Sequence, residues 1–339
     1  MKTIKTLSIS ILLVAAYASS TAVRAEVDWM SFTMDNDSFV GNDNGYTNGM
    51  TLAWWDIPED TDRGQGPEPG FLASLMTWSL PDRADAFVVD IGVVGQVMIT
   101  PDDIEEDPPI LPPDDLPYGG LLYYSDIFVH IYDQHADTVS VTLGVVGEYS
   151  FAEQTQEFVH DLIGSDEPCC WDSQLSDEVV WQVTRSRVWR TWVSDNGHTD
   201  FLTSGDLALG SIASSVGVGA MIRHGRDMKR SFATVPLMQG RTTNPIATDG
   251  SWYVFAGGRA GYLANQIFLD GSRTYDKDDY DEVDYESDTL AVIAGIAYSW
   301  KDISFTFAFG DLNTNEVSDN DAAKDYSEYG TFTIAWRLE

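Results

Sequence analysis

Residues 288–312, DTLAVIAGIAYSWKDISFTFAFGDL, decide the fold. Beyond Lys301-Asp302 the chain alternates strictly. Ile303, Phe305, Phe307 and Phe309 are large and apolar, whereas Ser304, Thr306, Ala308 and Gly310 are small or hydroxylic. A period of two is the mark of a β-strand with unlike faces. Lys301-Asp302 leaves room only for a very short turn, so 288–300 and 302–312 read as antiparallel neighbours.

The same alternation recurs elsewhere. Met30, Phe32 and Met34 stand against Ser31 and Thr33; Met50, Leu52 and Trp54 against Thr51 and Ala53; Phe332, Ile334, Trp336 and Leu338 against Thr331, Thr333 and Ala335. A soluble sandwich would bury the large face against a second sheet, whereas a transmembrane barrel would turn it to lipid and keep the small face inward. Trp29, Trp54, Trp55, Tyr123, Tyr124, Trp189, Trp192, Trp300 and Trp336 lie near strand ends, where a barrel carries its aromatic girdles. Twelve segments approach the ~9–11 residues that a membrane-crossing strand needs. They lie near 27–36, 46–56, 86–98, 120–133, 137–148, 178–194, 199–211, 213–223, 251–264, 288–300, 302–312 and 327–338. The expected fold is all-β: a single transmembrane antiparallel β-barrel of about twelve strands, with a short helical insert in an extracellular loop.

Residues 1–25 read as a secretory signal peptide. Lys2 and Lys5 form its positive start, residues 7–17 its apolar core, and Val23-Arg24-Ala25 a small-x-small cleavage site. The apolar run is too short to cross a membrane as a helix. The barrel domain would then occupy 26–339, with no second domain and no internal repeat beyond the strand period.

The net charge of −35 excludes nucleic acid as a partner, because such a surface repels phosphate. The acid gathers in 101–115 (PDDIEEDPPILPPDD), 276–288 (DKDDYDEVDYESD) and 319–325, all expected as exposed loops. Such loops suit divalent cations and meet phosphate poorly without one. Simple solubility accounts for the same composition.

One stretch departs from the strand pattern: residues 144–175, GVVGEYSFAEQTQEFVHDLIGSDEPCCWDSQL. Ser150 with Glu153 three residues on has the form of a capping box, and helical spacing continues until Gly164. Glu153, Gln156, Glu157 and His160 share one face of that helix, with Phe151, Phe158, Leu162 and Ile163 towards the other. A catalytic insert and an ordinary loop helix with a solvated His both fit these residues. The adjacent Cys169 and Cys170 form no zinc site; at most they make a vicinal disulfide. Near the start, Asn36 and Asp37 end one strand and Thr47 begins the next, so a hairpin brings their oxygens together. That set suits calcium, and equally an Asx-rich turn.

In order along the chain, DNDSF (35–39), GYTNGM (45–50), PYGG (117–120), GVVGE (144–148) and QEFVHDLIGSDEPCCWDSQL (156–175) resemble the lipid A deacylase family of Gram-negative outer membranes, the LpxR type. The resemblance is specific in 35–50 and 144–175 and general in the C-terminal strands. It implies an outer-membrane enzyme that uses calcium to hydrolyse the ester holding the 3′-acyloxyacyl group of lipid A. By position it makes His160 the general base and Gln156 its companion. Asn36 and Thr47 join the catalytic set, and Asp37, Asn36 and Asp166 become candidate calcium ligands. Lipid A or whole lipopolysaccharide would be the partner of a monomeric barrel. Two departures stand out: Leu116-Pro117-Tyr118-Gly119-Gly120 replaces a common Arg-Pro-Tyr-Ala-Gly, and 100–116 contains no Lys or Arg. Outside this family, a barrel phospholipase and a non-catalytic pore or structural barrel are the competing readings.

Overall fold

The computed structural model describes residues 27–36, 48–57, 63–101, 116–163, 168–226, 228, 231–232, 251–271, 285–311 and 328–338. Residues 1–25, expected as the signal peptide, lie outside this set. The strands are β1 Trp29–Asn36, β2 Asn48–Asp56, β3 Phe87–Ile99, β4 Gly119–Ile131, β5 His135–Val146 and β6 Glu178–Val193. They continue with β7 Thr199–Gly210, β8 Ala213–Gly225, β9 Trp252–Gln266, β10 Asp288–Trp300, β11 Ile303–Asp311 and β12 Glu328–Arg337. All twelve expected segments are strands, each neighbour is antiparallel, and β12 pairs with β1 to close the barrel. Closure leaves no unpaired edge, which is what a sheet surrounded by lipid requires. No described helix is long and apolar enough to cross a membrane.

The alternation read from the sequence becomes inside and outside. Ser31, Thr33, Ser304, Thr306, Thr331 and Thr333 are buried, while Leu52, Phe305, Phe309, Phe332 and Val292 are exposed. Inward hydroxyls bond to one another across the seam, as in Thr33 Oγ1 to Thr333 Oγ1 at 2.9 Å. Outward apolar side chains find lipid, so neither face is left unsatisfied.

The lumen is packed rather than open. One buried apolar cluster takes residues from all twelve strands, among them Trp55, Ile91, Leu202, Met221, Phe255 and Ile293. Met228 and Phe232, from the β8–β9 connection, join it. The charges there are paired: Arg223 donates to Asp200 at 2.6 and 3.0 Å, Arg190 Nε to Asp200 at 3.0 Å, and Arg259 Nε to Asp206 at 2.9 Å. A second cluster closes the other end, where helix α2 (Ile267–Asp270) meets Leu116, Leu121, Leu175 and Val180. Close-packed side chains leave few voids that hold water. In planar bilayers the purified protein should therefore pass no steady ionic current, and porin-sized conductance would contradict this packing.

The three acidic stretches, apart from Pro101 and residues 285–288, lie outside the described residues; the strand ends that precede them, those of β3, β9 and β11, are at one rim. That rim is the extracellular one. The opposite rim carries the tight β10–β11 turn, where Lys301 has the left-handed φ of 53° that a two-residue hairpin needs.

Candidate active site

Helix α1, Ala152–Ile163, belongs to the β5–β6 connection at the extracellular rim. The chain leaves β5 through Gly147 at φ 87°, makes a 3-10 turn at Glu148–Ser150, and enters α1 through Phe151 at φ 59°. These two left-handed residues turn the path outward over the barrel wall. The capping box expected from Ser150 and Glu153 does not form. Ser150 N already donates to Gly147 O at 2.9 Å, its Oγ donates to the same oxygen at 2.6 Å, and the Glu153 carboxylate accepts from Gln154 instead. Phe151 O serves the first turn, accepting from Thr155 N at 3.1 Å and Thr155 Oγ1 at 2.9 Å.

The wall beneath α1 is shaped to receive it. Gln96 lies on β3 on the outward face, level with Met34, Met50 and Leu122 on the neighbouring strands. An amide there would face lipid, but its Nε2 donates to Ser150 O at 2.6 Å and hooks the start of α1 down. Gly120, on β4, supplies the space. A Cβ at that position would stand 2.1 Å from Ser150 Oγ and 2.3 Å from Ala152 Cβ. Met98, Tyr118, Ala152, Cys170 and Trp171 form one buried cluster in the seam, with the Tyr118 and Trp171 rings 5.1 Å apart. Cys169 and Cys170 are joined as a vicinal disulfide beside it.

The face of α1 turned to the wall carries Ala152 and Gln156, with Thr155, Val159 and His160 half-buried beside them, whereas Gln154, Glu157 and Asp161 are exposed. Gln156 is 2 % exposed and His160, one turn further on, is half-buried, while Phe158 on the other side is 68 % exposed. Trp171 Nε1 donates to Gln156 Oε1 at 2.8 Å. An indole N–H can only donate, so the amide oxygen must face Trp171 and the NH₂ must point away from it. That Nε2 is buried without a hydrogen-bond partner.

Around the first turn the field is negative. The Glu153 carboxyl is pushed up by partial burial first, then by Glu157 and Asp172. These carboxylates favour a nearby cation, although no described group of three His, Cys, Asp or Glu is close enough to hold a metal by itself. Of the expected calcium and hairpin residues, only Asn36 is described. It is half-buried at the end of β1, on the same outward face as Met34 and about 10 Å across the sheet from β3. Asp35 points inward, its Oδ1 accepting from Thr331 Oγ1 at 2.6 Å. Asp37, Thr47 and Asp166 lie outside the described residues.

The other histidines, His130, His135, His198 and His224, sit at or beside the lower ends of β4, β5, β7 and β8. They are at the rim opposite α1, so His160 is the one His that the fold brings to this wall.

The family model for "Outer membrane protein LpxR" matches residues 6–338. The chain belongs to the LpxR family of outer membrane proteins. A solved structure described as "LpxR from Salmonella typhimurium" has the same barrel at 13% sequence identity and a TM-score of 0.70, covering 91% of this chain and 100% of its own. Two other barrels are more distant. The KdgM porin has 5% identity, a TM-score of 0.38, and coverage of 92% and 99%. The translocator domain of the autotransporter NalP from Neisseria meningitidis has 7% identity, a TM-score of 0.41, and coverage of 99% and 97%. No protein of curated function matches the chain in sequence. Membership of the LpxR family, with the closed twelve-stranded barrel, places the protein in the outer membrane of a Gram-negative cell. Three residues that seat α1 on the wall were not singled out as such in the sequence: Gln96, Gly120 and Trp171. Gln96 alone carried a signal, as an amide at a lipid-facing position of an alternating strand.

Proposed function

We propose that the protein hydrolyses the ester that holds the 3′-acyloxyacyl group of lipid A, working from the lipid-facing side of the barrel wall. One observation carries this reading. Gln156 and His160 lie on the side of α1 that meets the outer wall at the extracellular rim, while Phe158 faces outward. A lipid of the outer leaflet meets such a site without leaving the membrane, and a water-soluble substrate does not.

His160 acts as general base. It takes a proton from water, the water oxygen bonds to the ester carbonyl carbon, and the same proton passes to the sugar oxygen as the C–O bond breaks. Gln156, its oxygen held by Trp171, presents Nε2–H to the carbonyl oxygen as negative charge develops there. Asn36, Asp37 and Asp166 supply the hard oxygen donors that calcium prefers, and the acidic surroundings of Glu153 fit a cation. Bound calcium would polarise the carbonyl and screen the charge of the substrate. Thr47 completes the set at the start of the hairpin. With no Lys or Arg in 100–116, screening of lipid A phosphate falls to that cation.

Mass spectrometry of lipid A from cells with and without the protein tests the reaction. The expected product lacks the 3′-acyloxyacyl mass, and unchanged lipid A would refute it. Phosphatidylethanolamine vesicles free of lipid A should release no fatty acid; release would favour a phospholipase. Chelation of calcium should abolish hydrolysis, with activity restored by added calcium. Full activity in excess chelator removes the ion from the mechanism.

A further inference from the structure

The β2–β3 connection starts and ends at the periplasmic rim, yet residues 63–86 do not hang into the periplasm. Leu72 packs against Tyr124 and Val141, and Ala73 against Phe128 and Val139, all on the outward faces of β4 and β5. Asp126 lies five residues up β4 from Ile131, about 16 Å of strand. We infer that residues 63–86 form a re-entrant segment on the outside of the barrel, with its tip among phospholipid acyl chains of the periplasmic leaflet.

The tip is apolar where it faces away from the wall: Phe71, Leu75 and Trp78 are 53%, 58% and 79% exposed. They continue the lipid-facing belt already formed by the strands. The charged residues are confined to the two ends. There Arg63 pairs with Asp133, Arg83 with Glu68, and Tyr132 Oη donates to Asp82 O.

Irregular backbone in hydrocarbon needs its polar groups met from within the protein. Most of the N–H groups of the tip meet this condition. Ser74, Leu75, Met76, Ser79 and Leu80 donate their N–H groups to carbonyls within the segment, and the hydroxyls of Ser74, Thr77 and Ser79 donate to carbonyls three residues back. Three further donors explain two carboxylates that would otherwise face lipid. Asp126 Oδ2 accepts from Leu72 N at 2.9 Å and Ala73 N at 3.1 Å, and Asp90 Oδ1 accepts from Gly70 N at 3.1 Å. A carboxylate on the lipid face of a strand destabilises a barrel. Here each one anchors the segment, and the segment hides each one.

Nitroxides placed by Leu75→Cys and Trp78→Cys, in vesicles of phosphatidylethanolamine and phosphatidylglycerol, test this. Cys169 and Cys170 pair with each other, so the introduced thiol takes the label. The expected result is strong broadening by oxygen and little by a water-soluble nickel chelate. Labels at Gln65 and Asp85 should show the reverse. Nickel access at 75 and 78 equal to that at 65 would overturn the proposal. So would spin–spin broadening at 75, which would mean that a second copy covers the tip. Asp126→Ala, which removes the anchor, should raise nickel access at 75 severalfold, whereas Asp126→Asn keeps an acceptor and should not. No change in Asp126→Ala overturns the anchoring role. If that variant does not fold, the labels on the native wall still decide where the tip lies.

Discussion

Purified His160→Ala is expected to release acyl chains from lipid A about 10²–10⁴-fold more slowly than the parent protein, the usual contribution of a general base. The barrel should assemble as before, since His160 lies on a half-buried helix face outside the wall and no strand depends on it. Gln156→Ala should lose less, because it donates a hydrogen bond and moves no proton. His198→Ala and His224→Ala serve as controls at the opposite rim. Each bonds locally, His198 Nδ1 with Gly225 O and His224 Nδ1 with Thr199 Oγ1, and neither should change the rate by more than about twofold. The measurement is acyl release by mass, on refolded variants and the same lipid A micelles. A His160→Ala protein as fast as the parent would leave α1 without a catalytic role.

The second large effect comes from a single methyl group. Gly120→Ala puts a Cβ 2.1 Å from Ser150 Oγ and 2.3 Å from Ala152 Cβ, far inside van der Waals contact. The serine hydroxyl can rotate away, but the Ala152 Cβ is fixed to the helix, so α1 must withdraw from the wall. A displacement of about 1 Å in a catalytic group can cost ~10²-fold, and a loss of that order is expected. Gly120 does not have a left-handed φ, so the strand itself accepts alanine. Gly205→Ala is the matched control, since a Cβ there meets nothing nearer than Trp189 Cζ3 at 3.8 Å. Its rate should equal that of the parent. If Gly120→Ala also keeps the full rate, the seating of α1 on the wall does not set the geometry of the reaction.

The two predictions draw on different information. His160 was legible in the sequence through the spacing of Glu153, Gln156, Glu157 and His160 and through the block 156–175. Gly120 was visible only as part of PYGG, with no physical reason attached. The reason appears once β4 and the start of α1 are seen to touch, a contact between residues about thirty positions apart.

Strand period was enough to determine the barrel and its twelve strands, because each strand's inside and outside differ in local residue chemistry, although Trp29 and Trp55, expected in the aromatic girdles, are buried in the lumen. The helix was equally local, apart from its start: Ser150 had the right spacing for a capping box, but Gly147 O had already taken its N–H. Which way the helix faces could not be local. Hydrophobic periodicity separates two faces without saying whether water, lipid or a barrel wall lies beyond either of them. The side of α1 with Ala152 and Gln156 turns to the wall because Gln96, Gly120 and Trp171, from three other places in the chain, give it a hook, a space and a partner. The same holds for Asp90 and Asp126. In sequence they are charges misplaced on lipid-facing positions, and only the folded path of residues 63–86 supplies the N–H groups that make them anchors.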